Sequence, residues 1–119
     1  MKKPTSPIKI VFFDIDYTLY IKDEARIPTS ITEQVLPRLK AKGIIPAIAT
    51  GRNYDGFPEA LKPLMNENGF ELFVTINGQD NLYQGKQISD YRLSVQRIQQ
   101  AVEKLEKLGI AYAFVSRKA

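Results

Sequence analysis

Ile8 to Phe13 is a short run of β-branched and aromatic residues that stops at Asp14, a pattern that predicts a strand buried on both faces. A polar stretch containing proline follows. Ser30-Ile31-Thr32-Glu33 fits a capping box, Ile31, Val35, Leu36 and Leu39 repeat on one helical face, and Gly43 stands where a helix-ending glycine belongs. The spacing predicts a helix over 31–42, kinked by Pro37. Ile44 to Ala49 is a second apolar run, ending at Thr50-Gly51-Arg52-Asn53; Pro46 within it has no N–H, so it belongs early in the strand or where one ladder bond is dispensable. Pro58 opens an irregular helix that ends at Asn68-Gly69, and Leu72 to Ile76 is a third strand ending at Asn77-Gly78.

Strand, helix, strand, helix, strand is the alternation of an α/β fold with a parallel sheet and right-handed crossovers. After Gly78 the pattern changes. Leu82-Tyr83, Gln84-Gly85 and Lys86-Gln87-Ile88 predict a small hairpin, and Val95, Ile98, Val102, Leu105 and Leu108 form an apolar stripe expected to be core on a helix ending at Gly109. Ile110 to Val115 predicts one more strand. The expected organisation is a partial Rossmann-like parallel sheet over 1–80 and the beginning of an α+β segment over 81–119.

Composition narrows the chemistry. The 119 residues include no His and no Cys, which excludes disulfides, zinc-thiolate or imidazole metal sites and Ser-His-Asp or Cys-His catalysis. Carboxylates, hydroxyls, amines and hard oxygen-ligated metals remain. The net charge of +4 is spread evenly along the chain, so nothing resembles a nucleic-acid-binding tail or patch. The amino-terminal lysines are followed by Pro4, Pro7 and Lys9, which breaks any leader-like or membrane-spanning run, and a reducing cytoplasm is the expected location.

The densest candidate chemistry is Asp14-Ile15-Asp16-Tyr17-Thr18. Two residues apart past a strand end, Asp14 and Asp16 both reach the crevice where open α/β sheets bind ligands. Adjacent carboxylates repel unless a cation is shared, and Mg²⁺ is the oxygen-loving candidate. A turn after a strand also favours Asp, but the Asp-x-Asp-x-Thr string arises by chance in only on the order of one chain in a hundred of this length. Thr50-Gly51-Arg52 adds a hydroxyl, an open backbone N–H and a guanidinium, a set suited to phosphoryl oxygens. Asn77-Gly78 reads equally as a turn and as a third station on the same crevice.

Phe12 to Leu19 resembles the first motif of the haloacid dehalogenase-like (HAD) phosphohydrolases, and Ala49-Thr50-Gly51-Arg52 their second. Val74-Thr75-Ile76-Asn77-Gly78, then hairpin and helix, is similar to the passage from core to cap in the Cof-like sugar-phosphatase branch. The resemblance implies Asp14 as nucleophile, Asp16 as acid and base, Mg²⁺ held by the Asp14 carboxylate and the Asp16 backbone carbonyl, and phosphoryl oxygens bound by Thr50 and the Gly51 amide. Arg52 and Asn77 would contact substrate or phosphate, and the substrate would be a small phosphorylated metabolite of the sugar-phosphate kind.

Two departures from the pattern stand out. Tyr17 occupies a position where the family usually has Gly, and the family's third motif, a Lys, and fourth, further acidic residues, are not found. The expectation is therefore an amino-terminal portion of the enzyme, with an unpaired sheet edge open to self-association. A phosphate- and Mg²⁺-binding module without turnover is the alternative. A receiver-like signalling domain would need an Asp where this chain has Asn77.

Overall fold

The computed structural model describes residues 6–117. Five strands form one sheet in the order β1 (Ile10–Phe13), β2 (Ile45–Ala49), β3 (Leu72–Thr75), β4 (Asp80–Tyr83), β5 (Lys86–Asp90). β1, β2 and β3 are parallel, and β4 and β5 are added antiparallel. The hairpin thus continues the parallel sheet from its third strand. Gln84 and Gly85 join β4 to β5 with both φ angles positive, the twist-matched two-residue turn.

Register accounts for the core. Phe13 lies opposite Ile48, Ile48 opposite Phe73 and Phe73 opposite Leu82, a row across four strands on one face. Ile15, Leu19, Leu36, Phe57, Leu61 and Phe70 cover that row. Phe70 meets Phe13 edge-on, and Tyr54 meets Phe73 likewise. The opposite face is left open at β1: Ile10 is 37% and Phe12 51% exposed, so the strand read as buried on both faces is half-buried on one and open on the other. The run is uniformly apolar, but the described residues supply a covering layer to one side only.

The prolines explain the next differences. Residues 31–42 begin with a π turn, Ile31–Val35, and become α-helical at α1 (Leu36–Ala41). Pro37 falls in the first turn of α1, where a missing N–H costs little, and the wider π turn before it relieves the clash a proline ring makes with the preceding turn. Ser30 makes no side-chain cap, so the capping box is not formed. Between Pro58 and Gly69 the chain makes two separate 3₁₀ turns, Lys62–Leu64 and Asn66–Asn68, in place of one helix. Pro46 is the second residue of β2; its carbonyl accepts from the Glu71 N–H (3.0 Å), and the bond it cannot donate would fall before β3 begins.

Two further expectations are corrected. The Ser94-capped helix α2 (Val95–Lys107) forms as read and ends at Gly109 with φ +67°, but it buries no residue; its apolar stripe is not core. Ile110 to Val115 forms no strand. Amphipathic periodicity makes a helix, yet a helix or strand becomes core only when another layer reaches it.

Candidate functional site

The site lies at the carboxyl ends of β1, β2 and β3, where the parallel strands all point the same way. β2 and β3 lock their following loops together by backbone bonds: Thr50 N–H to Val74 C=O (2.9 Å), Asn77 N–H to Thr50 C=O (3.0 Å) and Ile76 N–H to Arg52 C=O (3.0 Å). This rigid pair of loops faces the turn that follows β1.

Asp14, Thr50, Gly51 and Asn77, with Ala49 and Val74, line a cavity of about 260 Å³. Asp14 is exposed, and one of its oxygens accepts the Ile15 N–H (2.8 Å). Thr50 is buried, its hydroxyl oxygen accepting the Arg52 N–H (3.0 Å). Gly51 lies close against Asn77: a Cβ there would sit 3.2 Å from Asn77 Oδ1, and the Asn77 amide would have to give way by a few tenths of an ångström. Asn77 adopts φ +52°, a left-handed conformation that Asn tolerates better than most residues and that the Asn-Gly pair signals in the sequence.

Asp16 and Arg52 stand apart from these four. Arg52 grips Asp16 with both prongs of its fork, Nε to Oδ2 at 2.9 Å and Nη2 to Oδ1 at 2.7 Å, and its Nη1 donates to the Gly56 carbonyl at 2.8 Å. The guanidinium read as a phosphate contact is thus occupied by the carboxylate read as the proton carrier. Hydrogen bonding from Arg52 holds the Asp16 carboxyl below its usual 3.8, against a smaller upward push from partial burial. Arg52 is raised for the same reason. Both directions describe an ionised pair.

Tyr17 carries the turn after Asp16 with φ +63° and is 82% exposed. Its N–H donates to Tyr20 C=O (3.2 Å), while Leu19 and Tyr20 N–H both reach Ile15 C=O (3.1 and 2.9 Å). The turn needs a left-handed residue at position 17, a conformation Gly takes freely and Tyr takes under strain.

Among the described residues no group of three acidic side chains gathers where a cation could sit. The cavity offers one exposed carboxylate, Asp14, and Mg²⁺ is commonly held by one or two carboxylates with substrate phosphate and water completing its shell. A second hollow, about 420 Å³ and lined by Tyr54, Asp55, Lys62, Met65 and Asn66, shares no residue with the first. The contribution of Gly56 to Arg52 was not visible in the sequence, where nothing marks a backbone carbonyl as a partner.

Comparison with known proteins gives the family and the fold. The sequence profile of haloacid dehalogenase-like hydrolases matches residues 11–119. A Bacillus subtilis protein, YkrA, named for an inferred phosphatase activity, is 36% identical over 80 residues, covering 67% of this chain and 29% of that protein. A Streptococcus pyogenes protein named for inferred phosphatase and peptidyl-prolyl cis-trans isomerase activities is 47% identical over 64 residues, 54% of this chain and 13% of its own length. Among solved structures, the HAD subclass IIB sugar phosphatase BT4131 superposes with a TM-score of 0.73 at 31% identity, covering 92% of this chain and 41% of that one. A Geobacillus kaustophilus protein gives 0.67 at 35% identity, covering 87% and 38%. This chain therefore spans less than half the length of these relatives. On the matched profile and the shared fold, the chain belongs to the haloacid dehalogenase-like hydrolase family.

Proposed function

We propose that this chain carries the nucleophile and part of the phosphoryl-binding site of a Mg²⁺-dependent phosphohydrolase acting on a small phosphorylated metabolite of the sugar-phosphate class. The observation that carries the reading is the cavity in which Asp14 faces Thr50, Gly51 and Asn77. In this reading residues 1–80 are the amino-terminal part of the catalytic core and 81–119 belong to a cap, and the protein works in the cytoplasm.

The Asp14 carboxylate attacks phosphorus in line with the ester oxygen, an Asp14 O–P bond forming as the ester P–O bond breaks. Thr50 Oγ1, the Gly51 N–H and the Asn77 amide are the groups available to hold the transferring oxygens, and fixed dipoles aimed at developing charge are what phosphoryl transfer demands. Asp16 gives a proton to the leaving oxygen; it then takes one from the water that attacks the aspartyl phosphate and releases inorganic phosphate and free Asp14. Bound through Asp14 and the Asp16 backbone carbonyl, Mg²⁺ would neutralise charge on the phosphoryl group. The pair with Arg52 keeps Asp16 ionised, which suits the base step; the acid step requires the carboxylate to leave Arg52 and be protonated.

The second reading, a phosphate- and Mg²⁺-binding module without turnover, is favoured by that same ion pair and by a cavity lining that contains no lysine. Phosphate release from p-nitrophenyl phosphate with Mg²⁺ separates the two. Catalysis predicts release that vanishes in Asp14→Asn; a binding module predicts phosphate affinity without any Asp14-dependent release.

A further inference from the structure

Hydrogen bonds joined by short stretches of backbone link Asp16 to the opposite end of the described chain. Asp80, the first residue of β4, is only 6% exposed. Its carboxylate takes both prongs of the Arg117 fork, Nε to Oδ2 and Nη2 to Oδ1, each at 2.8 Å, and a third bond from Gln87 Nε2 at 2.8 Å. The Arg117 backbone carbonyl accepts the Asp55 N–H at 3.1 Å. Asp55 lies in a single 3₁₀ turn, Tyr54–Gly56, closed by Gly56 N–H to Asn53 C=O at 3.0 Å. The next link is the Gly56 carbonyl, which holds Arg52 Nη1, and Arg52 holds Asp16.

We propose that Asp80 and Arg117 are positioning residues for Asp16, acting through the Tyr54–Gly56 turn and Arg52. The pair clasps the two ends of segment 80–117, so the clasp fastens that segment and the turn in one step. A one-turn element tied by its Asp55 N–H on one side and its Gly56 carbonyl on the other has little freedom to shift independently. Arg52 has a planar fork of fixed geometry, with three donors used on two partners that must stay in register. Opening the clasp releases the Asp55 N–H and loosens the Gly56 carbonyl. The grip on Asp16 then slackens, and movement of segment 81–116 reaches the Asp16 carboxylate without touching it. A contiguous chain of contacts becomes a coupling only when its two ends respond together, and that response is measurable.

The catalytic consequence rests on the role given to Asp16 above; the coupling itself does not. The test uses the full chain with ¹⁵N-labelled arginine. In Arg117→Ala and Asp80→Asn, hydrogen-exchange protection of the Arg52 Nε–H is expected to fall about tenfold, the size of one ordinary net hydrogen bond. Arg117→Lys, which keeps charge and most of the side-chain stem but loses the fork, gives a smaller loss in a chain that stays folded. The charge-swapped pair Asp80→Arg with Arg117→Asp restores protection in part. A folded Arg117→Lys chain with full Arg52 protection, or a swap that restores nothing, overturns the proposal. In phosphate release, the same variants are expected to lower kcat more than they raise KM. Absence of any Asp14-dependent release would count against the catalytic reading alone, because the Arg52 signal is read without turnover.

Discussion

Tyr17 shows what a single backbone angle demands. A bulky residue at φ +63° carries on the order of 1 kcal/mol of strain, and its ring is too exposed to recover that by packing. Tyr17→Gly is expected to stabilise the chain by about 0.5 kcal/mol after the added flexibility of glycine in the unfolded state is counted, read as a higher urea midpoint at unchanged slope. Asp14 and Asp16 make the complementary point. The same spacing that brings both to the strand end leaves their environments different, one opening on the cavity and the other bound to Arg52. Residue identity was enough to nominate both; the partner of each was decided elsewhere in the chain.

At the scale of elements, hydrophobic periodicity placed α2, the hairpin and the three parallel strands within a residue or two of their positions. It failed where elements depend on company. Ile110 to Val115 has strand composition but finds no sheet edge, and the α2 stripe finds no layer to bury it. The carboxy-terminal segment is held by the polar clasp at Asp80, and that clasp should titrate. Arg117 hydrogen bonds hold the Asp80 carboxyl below 3.8, burial pushes up, and Gln87 and Arg92 pull further down; Asp90, a like charge, lies on the adjacent strand β5 opposite it. A carboxyl depressed in the folded state contributes stability that is fully present above its unfolded value and is lost as pH falls through the folded one. Urea unfolding is therefore expected to show the native chain losing its margin over Asp80→Asn as pH drops below about 4, with the variant weaker by roughly 2 kcal/mol at neutral pH.

For the whole molecule, among the described residues, β1 combines an exposed apolar face with an outer edge that pairs with no other strand. Ile8, Ile10 and Phe12 present apolar side chains beside that open edge, a combination that favours pairing with another chain. Sedimentation is expected to show concentration-dependent self-association of the chain that Phe12→Ser reduces; an unchanged distribution would place the contact elsewhere. Among the described residues no helix is long and apolar enough to cross a membrane.

What the sequence determined by itself is local: alternation of apolar runs and turns, the carboxylates at a strand end, the Thr-Gly-Arg and Asn-Gly stations, and with them the family. These depend on residue identity and short spacing, so they are legible before the chain is folded. The tertiary structure decided which groups meet across long separations. Arg52 chose Asp16, 36 residues away, over an open approach to phosphate, and Arg117 chose Asp80, 37 residues away. Pairings of that kind depend on how β1, β2 and β4 are ordered in the sheet and on which loops their ends project, and no local pattern encodes an angle between two strands.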